Sequence, residues 1–313
     1  MVKKMTKKKV ALIYGGTSSE REVSIAGKNA VFEAIDKDKY DVLCYDAKFD
    51  LEKIFKNASQ IDCAFILLHG ENGEDGRIQG FLDLLKIPYQ SSGVLTSALA
   101  MNKEKCKDFY RINSIPVAEH LVFTGYSNEL ENKIIEKIGF PTVIKPAVGG
   151  SSIALSIVET AKDLKDAALK ALKESEIVMA EQYICGTELT CGVLGNNDPK
   201  PLPVIEIRPK KGHRFFDYEA KYTAGETDEI CPAQIDKNTA LKVQDLCTKI
   251  HKILGCRGCS RTDLILKDDS FYVLETNTIP GMTKNSLLPL AARTAGISFT
   301  DLIDMLIKFS LEK

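Results

Sequence analysis

An α/β fold that opens on a doubly wound parallel sheet is the class this sequence predicts, and three observations predict it. Short apolar runs alternate with helical periodicity through residues 10–85, which favours parallel strands joined by crossover helices. Glycine-containing loops follow the first and third runs, where such sheets hold ligands. Strand signals then return after residue 140 among further helical stretches. The 313 residues, 44% hydrophobic and 27% charged, suffice for two or three domains. Basic and acidic side chains number 42 and 43, a net charge of −1, so nothing draws the chain to nucleic acid or to an acidic membrane.

Val10-Ala-Leu-Ile-Tyr14 is a short apolar run that stops at Gly15-Gly16, and Ser19 is expected to open a helix with Val23, Ala26, Ala30, Val31, Ala34 and Ile35 at its apolar positions. Strands are expected at residues 41–45 and 63–68, with a helical stretch between them. The third strand ends at His69-Gly70, the segment 71–76 is loop, and residues 77–85 are helical. After Ile87-Pro88-Tyr89 the pattern becomes helix-rich over residues 96–113, placing a boundary near residue 92. Residues 140–146 form a strand closed by Pro146, and Gly149-Gly-Ser-Ser152 is a small-residue loop. A helix at 161–174 and a strand at 177–180 follow, and further strands are expected at 188–194, 204–207, 260–266 and 270–275. The polar segment 208–229 has the length of a lid or binding loop.

The nine cysteines are scattered and odd in number, which suits reduced core residues better than a disulfide framework. Cys256-Arg-Gly-Cys259 has redox or zinc spacing but no second pair nearby. The basic start runs into an apolar stretch too short for a signal peptide, and no segment approaches the ~18 apolar residues of a membrane span. A cytoplasmic protein with no membrane partner is expected.

Chemistry concentrates near the C-terminus. Arg261 and Asp263 are two apart on one expected strand, and Glu275 and Asn277 two apart on or just after the next, so each pair shares a face and a hairpin can join them. Two carboxylates and an amide oxygen make a hard-oxygen site suited to Mg²⁺ with nucleotide phosphates, and the arginine can hold a phosphoryl group or an oxyanion. The same spacing also suits a surface hairpin with solvated charges. Beyond it, Ile279-Pro-Gly-Met-Thr283 turns sharply and Ser286 opens a helical stretch, which is either an ordinary serine cap or a receptor for a carboxylate or phosphate.

Glu275-Thr-Asn-Thr-Ile-Pro-Gly-Met-Thr283 with Ser286-Leu287, Gly255-Cys-Arg-Gly258 before Arg261 and Asp263, His69-Gly-Glu-Asn-Gly-Glu-Asp-Gly76, Gly15-Gly-Thr-Ser-Ser-Glu-Arg-Glu-Val-Ser24 and Glu219-Ala-Lys-Tyr222 together resemble the D-alanine–D-alanine ligases of the ATP-grasp superfamily. The resemblance covers nearly the whole chain, in order. It implies an ATP-grasp fold with a substrate domain at residues 1–92, a central domain at 93–182 and a catalytic domain at 183–313. It implies phosphate-holding lysines at Lys103, Lys145 and Lys221, a phosphate loop including Ser151 and Ser152, and adenosine contacts at Glu181 and Glu188. Mg²⁺ or Mn²⁺ falls to Asp263, Glu275 and Asn277, and the oxyanion to Arg261 and the Gly281 N–H. Glu20 and His69 fall beside the first D-alanine, with Ser151 and Tyr222 bonded to Glu20. Ser286 and Leu287 fall to the second D-alanine's carboxylate. The family resemblance also implies a homodimer and a role in peptidoglycan precursor synthesis.

Two positions depart from the family pattern: Val148-Gly149 stands where a polar or acidic residue commonly precedes the loop, and Ala154 replaces a frequent glycine. A D-alanine–D-serine ligase and a catalytically silent ATP-binding sensor on the same fold remain as alternatives. Tyr222 argues against a depsipeptide ligase. A nicotinamide-dependent oxidoreductase is disfavoured because Gly-x-Gly-x-x-Gly is absent.

Overall fold

The computed structural model describes residues 7–149, 154–210 and 227–312, which build three sheets. The first is wholly parallel, in the order β2-β1-β3, from β1 (Lys8–Tyr14), β2 (Tyr40–Asp46) and β3 (Cys63–Ile66). The central strand β1 is almost continuously apolar because both its faces are covered. Val10 and Leu12 meet Val31 and Ile35 at the end of α1 (Arg21–Ala34), while Ala11 and Ile13 face Ile54 of α2 (Leu51–Asn57) and Ile78 and Leu82 of α3 (Arg77–Leu84).

Two helices, α4 (Val94–Met101) and α5 (Lys103–Ile112), lead into an antiparallel sheet of order β4-β7-β5-β6. The expected single helical stretch is therefore broken at Asn102, whose side chain caps α5 by accepting from the Lys105 N–H at 3.1 Å. The strands are β4 (His120–Phe123), β5 (Thr142–Pro146), β6 (Ser156–Val158) and β7 (Val178–Gln182). Helices α6 (Asn128–Lys137) and α7 (Ala161–Glu174) cover one face through Ile134, Leu164, Ala168 and Ala171.

The third sheet runs β11-β10-β8-β12-β13, with β9 beside β8, all antiparallel. Its strands are β8 (Thr187–Leu194), β9 (Lys200–Pro201), β10 (Ile205–Pro209), β11 (Thr227–Ile230), β12 (Cys259–Lys267) and β13 (Ser270–Asn277). Helix α8 (Lys237–Leu254) packs Val243 and Cys247 against Leu189, Cys191 and Leu264. The segment expected as one long loop, 208–229, is corrected at both ends: Arg208 and Pro209 pair with Asp228 and Thr227 as strands, and residues 211–226 lie outside the described residues.

Short helix α9 (Leu287–Thr294) and α10 (Phe299–Leu311) return to the first sheet. Leu302, Ile303, Leu306 and Ile307, each no more than 1% exposed, join Val10, Leu12 and Phe65 in one core. Burial at that level stabilises by ~1.5–3 kcal/mol per side chain. Asp304 accepts from the Tyr40 hydroxyl at 2.7 Å, fixing the seam with a buried polar bond. The N-terminal loops and the third sheet are thereby held together.

Candidate functional site

The hairpin of β12 and β13 sets Arg261 opposite Asn277 and Asp263 opposite Glu275. Cross-strand neighbours of that kind have Cβ atoms about 5 Å apart, so the four side chains form one cluster. Arg261 donates from Nε and Nη2 to the two Asp263 oxygens at 2.9 and 2.8 Å, and the Thr190 hydroxyl donates to Asp263 Oδ1 at 2.5 Å. Burial opposes a charge on Arg261, but Asp263, Glu275 and Glu74 hold the guanidinium firmly protonated. Asn277 Oδ1 accepts from the Ile279 N–H at 2.8 Å, which starts the turn after the strand. Arg261, expected to serve the oxyanion, is thus paired with Asp263, expected to serve the metal.

That turn brings Gly281 against Ser286. A Cβ on Gly281 would stand 3.0 Å from Ser286 Oγ, so glycine allows the close approach. Ser286 is the N-cap residue of α9 but its hydroxyl makes no cap bond; it accepts from the Thr283 N–H at 3.1 Å and shares a 2.8 Å bond with the Thr283 hydroxyl. The ordinary serine-cap reading does not hold here, and the first turn of α9 has no side-chain acceptor.

The N-terminal loops complete the wall. Helix α1 begins at Arg21 rather than Ser19, leaving Glu20 as the residue before its first turn, 7% exposed. Ser18 donates to the His69 carbonyl at 2.8 Å and ties this loop to the one after β3. Gly70 has φ +66°, which favours glycine, and a Cβ there would lie 2.8 Å from Glu20 Oε2, so a larger residue would displace the Glu20 carboxylate. Burial pushes the His69 imidazole down against the pull of Glu20, and Arg261 adds to the depression, so His69 is neutral near pH 7. Glu74, absent from the sequence-derived site although inside a quoted motif, accepts from the Gly70 N–H at 2.7 Å. Burial and the charge of Glu20 push its carboxyl up to about 8.

Lys103 donates to the Gly149 carbonyl at 2.5 Å and lies 3.4 Å from Glu275 Oε2, so it links the small-residue loop to the hairpin. Lys145 Nζ lies 2.5 Å from Glu181 Oε2. Glu181 also pairs with Lys107, a fully buried lysine that carried no motif. Glu188 on β8 stands opposite Ile265 and two residues from Thr190, on the strand face that serves Asp263. Ser151, Ser152, Lys221 and Tyr222 lie outside the described residues. Cys256 and Cys259 are buried, and burial pushes both thiols up to about 12, which keeps them protonated and inert.

The donor set of Asp263, Glu275 and Asn277 is all oxygen and faces itself across the hairpin, which fits a hard divalent cation. No helix among the described residues is long and apolar enough to cross a membrane.

Residues 109–308 match the family described as D-ala D-ala ligase C-terminus, and residues 47–92 the family described as D-ala D-ala ligase N-terminus. A D-alanine–D-alanine ligase of Desulfotalea psychrophila is 51% identical over 97% of this chain and 95% of its own. The solved structure of the D-alanine–D-alanine ligase of Bacillus anthracis complexed with ATP superposes with a TM-score of 0.84 at 33% identity, covering 97% of each chain. VanG D-Ala:D-Ser ligase from Enterococcus faecalis superposes equally well, TM-score 0.84 at 32% identity, over 97% of this chain and 100% of that one.

Proposed function

The chain belongs to the D-alanine–D-alanine ligase family, and on that premise we propose that it joins two D-alanines into D-alanyl-D-alanine with conversion of ATP to ADP and phosphate, the residues above dividing the work. The observation that supports this is the register of the hairpin, which gathers Arg261, Asp263, Glu275 and Asn277, with Arg261 within electrostatic reach of His69 and Glu74 and Glu275 within reach of Glu74. The dipeptide serves peptidoglycan precursor synthesis. The working division of the chain is 1–92, 93–182 and 183–313, and the protein works in the cytoplasm as a homodimer.

A carboxylate is a poor electrophile and must be activated first. Glu20 pairs with the ammonium of the first D-alanine beside neutral His69, leaving that substrate's carboxylate facing the γ-phosphoryl group. Its oxygen forms the new P–O bond, ADP leaves, and D-alanyl phosphate results. Lys103, Lys145 and Lys221 hold phosphate oxygens, the loop with Ser151 and Ser152 covers them, and Glu181 and Glu188 contact the adenosine. Asp263, Glu275 and Asn277 would hold Mg²⁺ or Mn²⁺, which supplies neutralisation of phosphate charge when bound.

In the second step the neutral amine of the second D-alanine attacks the acyl carbon. Arg261, once it leaves Asp263, and the Gly281 N–H stabilise the tetrahedral oxyanion. The C–O bond to phosphate then breaks, and the proton of the attacking nitrogen passes to the departing phosphate. Ser286 Oγ and the Leu287 N–H bind the second carboxylate, which suits a serine hydroxyl that is not spent on its own helix. By the family resemblance, Tyr222 and Ser151 are the residues assigned to Glu20, a role that would exclude water from the acyl phosphate.

The similarity to a D-Ala:D-Ser ligase makes the second subsite the point to test. ADP formation is measured with D-alanine, D-serine or D-lactate as the second substrate. D-alanine alone should support rapid turnover; faster turnover with D-serine would reassign the substrate, and no ADP with any of them would make the protein a sensor.

A further inference from the structure

Glu181 sits between two ammonium groups that differ in freedom. Lys107, on α5, has no exposed surface, is ion-paired with Glu181, and donates from Nζ to the Val273 carbonyl of β13 at 3.2 Å. Its charge is therefore held from two sheets at once. Lys145, on β5, keeps 9% exposure and meets Glu181 Oε2 at 2.5 Å. Strand register accounts for that contact: Glu181 pairs with Val143, so residues 143, 145 and 181 share a face. Four residues after Lys145 the chain reaches Gly149, whose carbonyl takes Lys103.

A buried carboxylate stripped of its partners is heavily penalised. If Lys145 alone balanced Glu181, its departure to a phosphate would leave that charge stranded. Lys107 removes this obstacle, since it cannot leave and stays paired. Burial would raise the Glu181 carboxyl, yet the two lysines hold it at about 2, so it remains an anion. We propose that Lys107 is a positioning residue, the standing counter-ion of Glu181, whose grip on that carboxylate releases Lys145 to bind the triphosphate of ATP. This rests on the nucleotide-site reading above.

The test compares ATP and inorganic tripolyphosphate binding, by calorimetry at constant Mg²⁺, in the unaltered protein, Lys107→Met and Lys107→Met/Glu181→Gln. With its standing partner gone, Glu181 keeps Lys145, so Lys107→Met should weaken tripolyphosphate binding about 10- to 100-fold, the value of one bond between charged groups. Removing the carboxylate as well frees Lys145, so the double variant should recover most of the tripolyphosphate affinity. A double variant no better than the single one, or a single variant with unchanged affinity, overturns the proposal. Should Lys107→Met fail to fold, Lys145→Met decides: Glu181 still has Lys107, so its Tm should stay within about 3 °C of the unaltered protein while tripolyphosphate affinity falls. Loss of folding there too, or retained affinity, overturns it. If the unaltered protein binds neither ATP nor tripolyphosphate, the nucleotide-site reading fails and takes the proposal with it; if it binds both, a contrary variant result defeats the Lys107 role alone.

Discussion

Replacing Arg261 with alanine removes two bonds to Asp263, at 2.9 and 2.8 Å, together with the donor assigned to the tetrahedral oxyanion. Losing one such donor costs ~3 kcal/mol of transition-state stabilisation, or about a hundredfold or more in kcat. The ground-state effect has a different sign for the cation. Both side chains are 12% exposed, so breaking the pair destabilises the free protein, by less than the ~3–5 kcal/mol of a fully buried pair because Thr190 still donates to Asp263. The Asp263 oxygens that the guanidinium covered become free, so Mg²⁺ and ATP should bind at least as tightly as before. Calorimetry with Mg²⁺ and ATP gives the second quantity and a phosphate-release assay the first. Near-normal turnover would reject Arg261 as the oxyanion donor, and loss of ATP binding with the fold intact would reject the separation of its two roles.

Ser286→Ala should raise KM for the second D-alanine roughly tenfold and lower stability by about 1 kcal/mol, through the lost bonds to Thr283 rather than through a cap on α9; steady-state kinetics beside denaturant unfolding will show both, and an unchanged KM would remove Ser286 from the second subsite. Gly258→Ala tests the contact between the first sheet's loop and the third sheet: a Cβ there would come 1.9 Å from the Gln90 carbonyl at φ +69°, and Gln90 clamps Ile66 through bonds to its N–H and carbonyl. Backbone strain of ~1–2 kcal/mol and overpacking of ~1–3 kcal/mol add, so denaturant unfolding should show a loss of roughly 2–5 kcal/mol. A loss under about 1 kcal/mol would mean that the two loops separate easily. The third concerns pH. Buried His251 bonds Ser260 and the Gly195 carbonyl, and burial depresses it from 6.5 to about 4. The unfolded chain therefore takes up the proton first, and stability present above pH 6.5 is lost as pH falls toward 4, by up to roughly 3 kcal/mol (about 2.5 pKa units at 1.36 kcal/mol each). His251→Gln should flatten the dependence of Tm on pH in that window; an unchanged slope assigns it to other groups.

Much of this was legible because side-chain period determines the elements. The helix expected at 161–174 spans Ala161–Glu174, and the two-residue spacing of Arg261 with Asp263 and of Glu275 with Asn277 foretold a shared face. Local pattern says nothing about what meets across the fold. Lys107 has the same sequence surroundings as a solvated lysine, and only the packing of α5 between β7 and β13 buries it. The clamp of Arg261 on Asp263 and the return of α10 to the first sheet are likewise tertiary. Spacing left Ser286 open between a cap and an anion receptor for a related reason, since its partner Thr283 lies in a turn whose shape the spacing does not encode. Ala154 shows the converse. It takes φ +55°, the left-handed conformation that a glycine adopts without strain, which explains why a glycine is frequent there and leaves the alanine in a strained conformation that nothing in the structure explains.

Joining two D-alanines through an acyl phosphate moves a substrate oxygen into inorganic phosphate, so the reaction is tested by following the oxygen atoms. D-alanine labelled with ¹⁸O in both carboxylate oxygens is incubated with ATP and Mg²⁺, and dipeptide and inorganic phosphate are analysed by mass spectrometry. One labelled oxygen should appear in phosphate for each D-alanyl-D-alanine formed, because the oxygen that attacked phosphorus leaves with it. Dipeptide formed with unlabelled phosphate, or ADP formed without dipeptide, would contradict the account.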